Sequence, residues 1–262
     1  MTAYVAEGVD RVRRAAPLVH NVTNLVAMTL SANVLIAAGA SPIMSAAPEE
    51  AGDLAAMSGA LVVNVGTLTS PWISGAHAAV AGARRAGRPW VLDPVGVGAT
   101  AFRREAARAL IVLQPRIIRG NASEILALAE RGAGGRGVDS TAGASAAAEA
   151  AKALALSTGA VVAATGAVDL VTDGTRTIEV ANGHELLTRT TASGCALTAL
   201  IGAWAATLDD PLHATAGALA AYGVAAELAA AKAEGCGSFV MALLDALGSL
   251  DGATAARLAR IT

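Results

Sequence analysis

Short runs of aliphatic and β-branched residues alternate along this chain with long alanine-rich stretches, and that alternation limits the folds open to it. The periodicity predicts strands at Leu18–His20, Ser41–Met44, Leu61–Val65, Trp90–Asp93, Arg116–Arg119, Val161–Thr165, Leu170–Thr172 and Thr177–Val180. Helices are expected between them at Thr23–Ala38, Pro48–Ser58, Pro71–Ala86, Ala101–Leu113, Ala122–Arg131 and Thr141–Ser157. Gly39, Gly59, Gly87 and Gly159 stand where each of four helices must stop before a strand. A repeated β-α-β order demands right-handed crossovers and a mainly parallel sheet, covered on both faces. Continuous apolar runs such as LVVNV and VVAAT suit strands buried on both sides.

The last third differs. Asp173-Gly174 sits between two short β runs and predicts a hairpin, and helical stretches follow at Gly194–Leu208, Leu212–Glu234 and Ser238–Leu247. No linker divides the chain, and the glycine-rich stretch Arg131–Ser140 is read as a surface loop. The whole of residues 1–262 is expected to form a single α/β domain.

Composition removes several functions. The chain is 54% hydrophobic and 15% charged, with a net charge of -2, so it lacks the basic footprint that nucleic-acid binding requires. Only 3% of residues are aromatic, which leaves no stacking platform for single-stranded bases. Residues 20–48 carry no charged side chain, yet their several Asn, Ser and Thr residues and Pro42 argue against a membrane span. Glu7, Asp10, Arg11, Arg13 and Arg14 are unlike a secretory leader, and Cys195 and Cys236 make no disulfide framework, so a cytoplasmic protein is expected.

In open α/β sheets, ligands bind beyond the carboxyl ends of the strands. There the sequence places His20-Asn21, Met44, Asn64-Gly66, Asp93, Arg119-Gly120-Asn121 and Thr165-Gly166. Asp93 ends an apolar strand and precedes Pro94, Gly96 and Gly98; it suits a carboxylate holding Mg²⁺, often through water, beside a loop that admits a phosphate. The plainer reading, a cap on the next helix, is made awkward by the seven residues between them. In IIRGNASEI, Asn121 or Ser123 can cap a helix and Glu124 sits in its first turn, which is again the plainer role. Grouped with Arg119, which can meet phosphate oxygens bidentately, Glu124 can instead orient metal-bound water.

A third segment, TRTTASGCALTALIGAW, leads into an uncharged helix whose first N–H groups make an anion site. Cys195 falls in that first turn, where its thiol pKa is expected below ~8.5; the alternative is a small buried hydrophobe. A metal-holding carboxylate, an arginine and a helix N-terminus together fit phosphoryl transfer. The P-loop spelling is absent, and Lys152 and Lys232, the only lysines, lie in alanine-rich helices. His77, His184 and His213 show no ligand spacing, Trp72 and Trp204 read as packing, and Cys236 as a helix-end residue.

PLVHNVTNLVAM, ANVLIAAGASPIMSAAPEE, LVVNVGTL, VLDPVGVGAT, IIRGNASEI and TASGCALTALIGA, taken in order, resemble the hydroxyethylthiazole kinase family of the ribokinase-like superfamily. The resemblance implies a three-layer α/β/α fold with a mainly parallel central sheet and no separate lid domain. It implies ATP-dependent, Mg²⁺-assisted phosphorylation of 4-methyl-5-(2-hydroxyethyl)thiazole in thiamine salvage, by homotrimers with active sites between subunits. By position it places Met44, Ala192 and Asn24 against the thiazole, Arg119, Thr165 and Asn121 against ATP, and Asp93 and Glu124 near the metal. Gly194 and Cys195 fall where the transferring group is cradled, with Cys195 in the place of a base. Where the family usually has glycine this chain has Ala192, which adds a methyl group and restricts φ > 0. The rival readings are a kinase of the pyrimidine half of thiamine, a nucleotide-dependent dehydratase of the same fold, and a non-catalytic nucleotide-binding regulator.

Overall fold

The computed structural model describes residues 2–129 and 140–262. Among these residues eight strands form one sheet: β1 (Leu18–Val22), β2 (Ser41–Met44), β3 (Ala60–Asn64), β4 (Trp90–Asp93), β5 (Ile117–Asn121), β6 (Val161–Thr165), β7 (Asp169–Thr172) and β8 (Thr177–Val180). Their order is β2-β1-β3-β4-β5-β6-β7-β8; β1 to β6 run parallel, and β7 and β8 add an antiparallel edge. The Asp173-Gly174 turn joins β7 to β8, with Gly174 at φ 94 as a tight turn requires.

Eleven helices are described: α1 (Ala3–Ala15), α2 (Met28–Ala37), α3 (Pro48–Met57), α4 (Ser70–Arg85), α5 (Ala101–Ile111), α6 (Ala122–Ala129), α7 (Ser140–Thr158), α8 (Ser193–Ala205), α9 (Pro211–Ala230), α10 (Cys236–Ser249) and α11 (Gly252–Leu258). Strand alternation divides the core. Val19, Val62, Val91, Ile117 and Val161 pack with α1, α2 and α8 to α11. Leu61, Val63, Leu92, Ile118 and Val162 pack with α3 to α7 on the other face. This is the expected three-layer arrangement. Trp72 and Trp204 are buried, in keeping with a packing role.

Several boundaries move for identifiable reasons. The helix expected from Thr23 begins at Met28, because the Asn24 side chain accepts from the Ala27 N–H at 3.0 Å and holds a turn there. β3 and β5 shift so that Asn64 and Asn121 are their last residues. The last-third helices also move: α9 opens at Pro211 behind an Asp210 cap, and α10 opens at Cys236. α1 and α11 were not anticipated. The first buries Val5, Val9 and Val12 at helical spacing, a signal present in the sequence. Gly39, Gly87 and Gly159 have positive φ and close their helices as expected, whereas α3 ends at an extended Ser58 before Gly59. The expected loop at 131–139, and Arg131 at the end of the predicted sixth helix, lie outside the described residues.

No single described helix is long and apolar enough to cross a membrane. α10 and α11 reach that length and composition together but are bent by 116°.

Candidate active site

The pleat that turns Val62 and Val91 toward the α8 layer turns Asn64 and Asp93 the same way, and parallel register sets these two side by side. Asp93 is fully buried. Its Oδ2 accepts from Asn64 Nδ2 and from Thr198 Oγ1 of α8, both at 2.8 Å. Its Oδ1 is buried with no partner among the described residues. Burial pushes the carboxyl up to about 7; Arg119 nearby opposes this, and Glu124 adds to it.

From Asn64 the network continues outward. Asn64 Oδ1 accepts from Gly66 N–H at 3.0 Å and from Asn24 Nδ2 at 2.9 Å. Asn24 Nδ2 also reaches Cys195 Sγ at 3.4 Å. Cys195 does sit in the first turn of α8, but the expected lowering of its pKa does not hold. Burial and the negative Asp93 push the thiol up, outweighing the Asn64 and Asn24 hydrogen bonds and the Arg119 charge. Desolvation therefore wins over the helix terminus.

Arg119 lies next to the same helix end. Its Nη2 donates to Thr165 Oγ1 at 2.7 Å, and that hydroxyl donates onward to Gly120 O at 3.2 Å. A Cβ at Gly194 would stand 2.7 Å from Arg119 Nη1, so only glycine lets the guanidinium lie against the start of α8. Ala192, the residue before the helix, adopts φ 63 and ψ 2. The position is left-handed, as its usual glycine suggests.

Asn121 and Glu124 form a reciprocal cap at the start of α6. Glu124 N donates to Asn121 Oδ1 at 3.0 Å, and Asn121 N donates to Glu124 Oε2 at 2.9 Å. The plainer reading of this pair is thus realised in the hydrogen bonds. Glu124 does more than cap, since its Oε1 also accepts from Gly96 N at 2.9 Å in the loop after Asp93. The cap on α5 comes from Thr100, which frees Asp93 from that role. Arg103, to which the sequence reading gives no role, donates to Val65 O, Gly66 O and Val95 O and so ties the loops after β3 and β4 together.

Among the described residues, no three His, Cys, Asp or Glu side chains gather closely enough to hold a metal ion alone. The donor set does fit a Mg²⁺ that keeps water and shares a nucleotide's phosphates. Asp93 offers a buried oxygen without a hydrogen bond, and Glu124 belongs to the same electrostatic group.

Met44 ends the edge strand β2, in register with Asn21, and is not joined to the network. His20 is buried beside it. Its Nε2 donates to Ser45 O at 2.9 Å, and burial lowers its pKa. Two residues of the network escape pattern reading: Asn64 is noted only as a strand end, and Thr198 looks like one more small residue of an apolar helix. A depression of about 630 Å³ opens at the opposite end of the strands, near Arg84, Arg88, Arg116 and Asp209. Helices α4 and α8 end there, so arginines complement their C-terminal dipoles, and none of the strand-end residues lines it.

The sequence pattern of the Hydroxyethylthiazole kinase family matches residues 9–252. A protein named hydroxyethylthiazole kinase from Cereibacter sphaeroides is 56% identical over 252 residues, or 96% of each chain. The solved structure of hydroxyethylthiazole kinase from Pyrococcus horikoshii superposes with a TM-score of 0.92 at 40% identity, covering 99% of this chain and 98% of that one. Pyridoxal kinase from Staphylococcus aureus shares the fold, with a TM-score of 0.60 at 18% identity over 80% of this chain and 87% of that one.

Proposed function

The chain belongs to the hydroxyethylthiazole kinase family, and we propose that the polar network at the strand ends is where it performs that family's reaction. The reaction is ATP-dependent phosphorylation of the hydroxyl of 4-methyl-5-(2-hydroxyethyl)thiazole, in thiamine salvage. The single observation that carries the placement is convergence: Asp93, Arg119 and the start of α8 meet on one face of the sheet.

In this reading ATP lies across the strand ends with its adenine on the C-terminal side, and Arg119, Thr165 and Asn121 bind it. Arg119, braced by Thr165, meets the phosphate oxygens. The N–H groups of Gly194 and Cys195 face the transferring group, where negative charge needs preorganised donors. Asp93 and Glu124 hold Mg²⁺, which when bound neutralises charge on the terminal phosphates. Burial keeps Cys195 protonated, so it orients the acceptor hydroxyl rather than stripping its proton in advance. A loose transition state needs little activation of the nucleophile before transfer. Asn24, Met44 and Ala192 border the thiazole.

Residues 1–262 act as one kinase domain, placed in the cytoplasm. We assign the working form to a homotrimer with sites between subunits. Support comes from the free edge of β2, where Met44 stands, and from Leu25 and Val26, exposed at 74% and 62% just beyond β1. ADP release with a panel of small alcohols, with and without Mg²⁺, tests the reading. Turnover is expected with the thiazole alcohol and Mg²⁺. Turnover only with hydroxymethylpyrimidine would overturn the substrate, and none with any alcohol would favour a regulator.

A further inference from the structure

Two side-chain amides stand between Asp93 and Cys195, and each can face only one way. A backbone N–H can only donate, so the Gly66 N–H fixes the oxygen of Asn64 and the Ala27 N–H fixes the oxygen of Asn24. Asn64 must then point its NH₂ at the Asp93 carboxylate, and Asn24 must point its NH₂ at Asn64 Oδ1 and at the sulfur of Cys195. Both asparagines are buried, at 1% and 4% exposure, so water does not compete for these groups.

Steric packing independently holds Asn24 in place. A Cβ at Gly66 would stand 2.7 Å from Asn24 Nδ2 and 2.8 Å from its Cβ and Cγ. The backbone of residue 66 therefore lies flat against the Asn24 side chain, and no other residue type fits there without displacing it.

We propose that Asn64 is a positioning residue: it sets the orientation of Asn24, whose NH₂ donates to Cys195 Sγ and fixes the sulfur at the start of α8. Gly66 serves the same end by leaving room for Asn24. Asn64 is assigned no contact with ATP or the acceptor alcohol; its influence on the reaction reaches Cys195 through Asn24 and through its own side-chain amide beside the sulfur. This rests on the assignment of Cys195 to the acceptor hydroxyl. It predicts that losing Asn64 harms the chemical step and not the binding of ATP.

A double-mutant cycle tests this, with phosphoryl transfer from radiolabelled ATP to the thiazole alcohol followed under single-turnover conditions. Asn64→Ala is expected to lower the transfer rate about tenfold when Cys195 is present, the scale of one hydrogen bond. In a Cys195→Ala background the same change should cost less than about twofold, with the KM for ATP unchanged in both. Equal losses in the two backgrounds would overturn the proposal, because Asn64 would then act on Asp93 or on the fold. So would a folded Asn64→Ala enzyme with wild-type rate. If thermal melting shows that Asn64→Ala does not fold, Gly66→Ala takes its place in the cycle: it displaces Asn24 while sparing the bond from Asn64 to Asp93, and the same outcomes decide. Absence of transfer by the wild type is a separate result, and it would remove the activity assignment itself.

Discussion

Ala192 illustrates how much one methyl group can matter. A left-handed alanine costs roughly 1–2 kcal/mol, while a glycine there gives back part of that advantage through its looser unfolded chain. Ala192→Gly is therefore expected to stabilise the protein by about 0.5–1 kcal/mol, seen in calorimetry as a melting temperature some 1–4 °C higher. A lower melting temperature would show that the local strain has been misjudged. Arg119 carries a different kind of weight, because it brings positive charge to the start of α8 and beside Asp93. Arg119→Ala should lower kcat on the order of 10²–10³-fold in steady-state assays, as the loss of one preorganised donor to a developing charge does. Retention of more than about a tenth of wild-type kcat would exclude a phosphate contact in the transition state.

Legibility at this scale followed charge. Asp93 and Arg119 could be singled out from sequence because ionised groups at the ends of apolar strands have few plain explanations. Asn64 and Thr198 could not, because neutral amides and hydroxyls occur in buried segments for many reasons, and only the register shows what they meet. The position of Cys195 in the first turn of α8 is legible while its titration is not, since sequence reveals the helix terminus but not the desolvation that outweighs it.

At the scale of elements, alanine and glycine set how closely helices approach. α3 and α4 pack backbone to backbone: a Cβ on Gly82 would stand 1.9 Å from Gly52 O, and one on Gly75 the same distance from Ala46 O. Gly82→Ala should destabilise the fold by roughly 1–3 kcal/mol in chemical denaturation, because the helices must separate to admit a methyl group. An unchanged midpoint would mean that the helices slide past one another freely. Most elements were legible because their apolar periods are regular. The start of α2 was not, because a local Asn24 bond competes with the helix, and such competition leaves the apolar pattern intact.

The molecule as a whole joins a buried polar line to a free edge. One end of the line is Asp93, near the middle of the sheet; the other is Cys195 and Asn24, beside the segment that leads to exposed Leu25 and Val26. A composition of about a quarter alanine supports this design, since small side chains let helices cover both faces of a wide sheet closely. It also leaves few polar residues inside; Asn24, Asn64, Asp93 and Thr198 gather at one end of the strands, while Ser58 and Thr172 lie at the other. The parallel fold is legible for the same reason as the candidate site: regular strands and helices repeat, and Asp93 and Arg119 break the apolar runs at strand ends.

The most direct test of this account is mass-spectrometric detection of the phosphorylated thiazole alcohol after incubation with ATP and Mg²⁺, comparing wild type with Asp93→Asn. The variant keeps the shape of the side chain and removes its charge. Wild type is expected to form the phosphate ester, and Asp93→Asn to form it at least ~100-fold more slowly, because the proposed mechanism assigns the buried carboxylate to hold the cation against the phosphates. Equal rates in the two proteins, or a phosphate ester formed only on the pyrimidine alcohol, would contradict it.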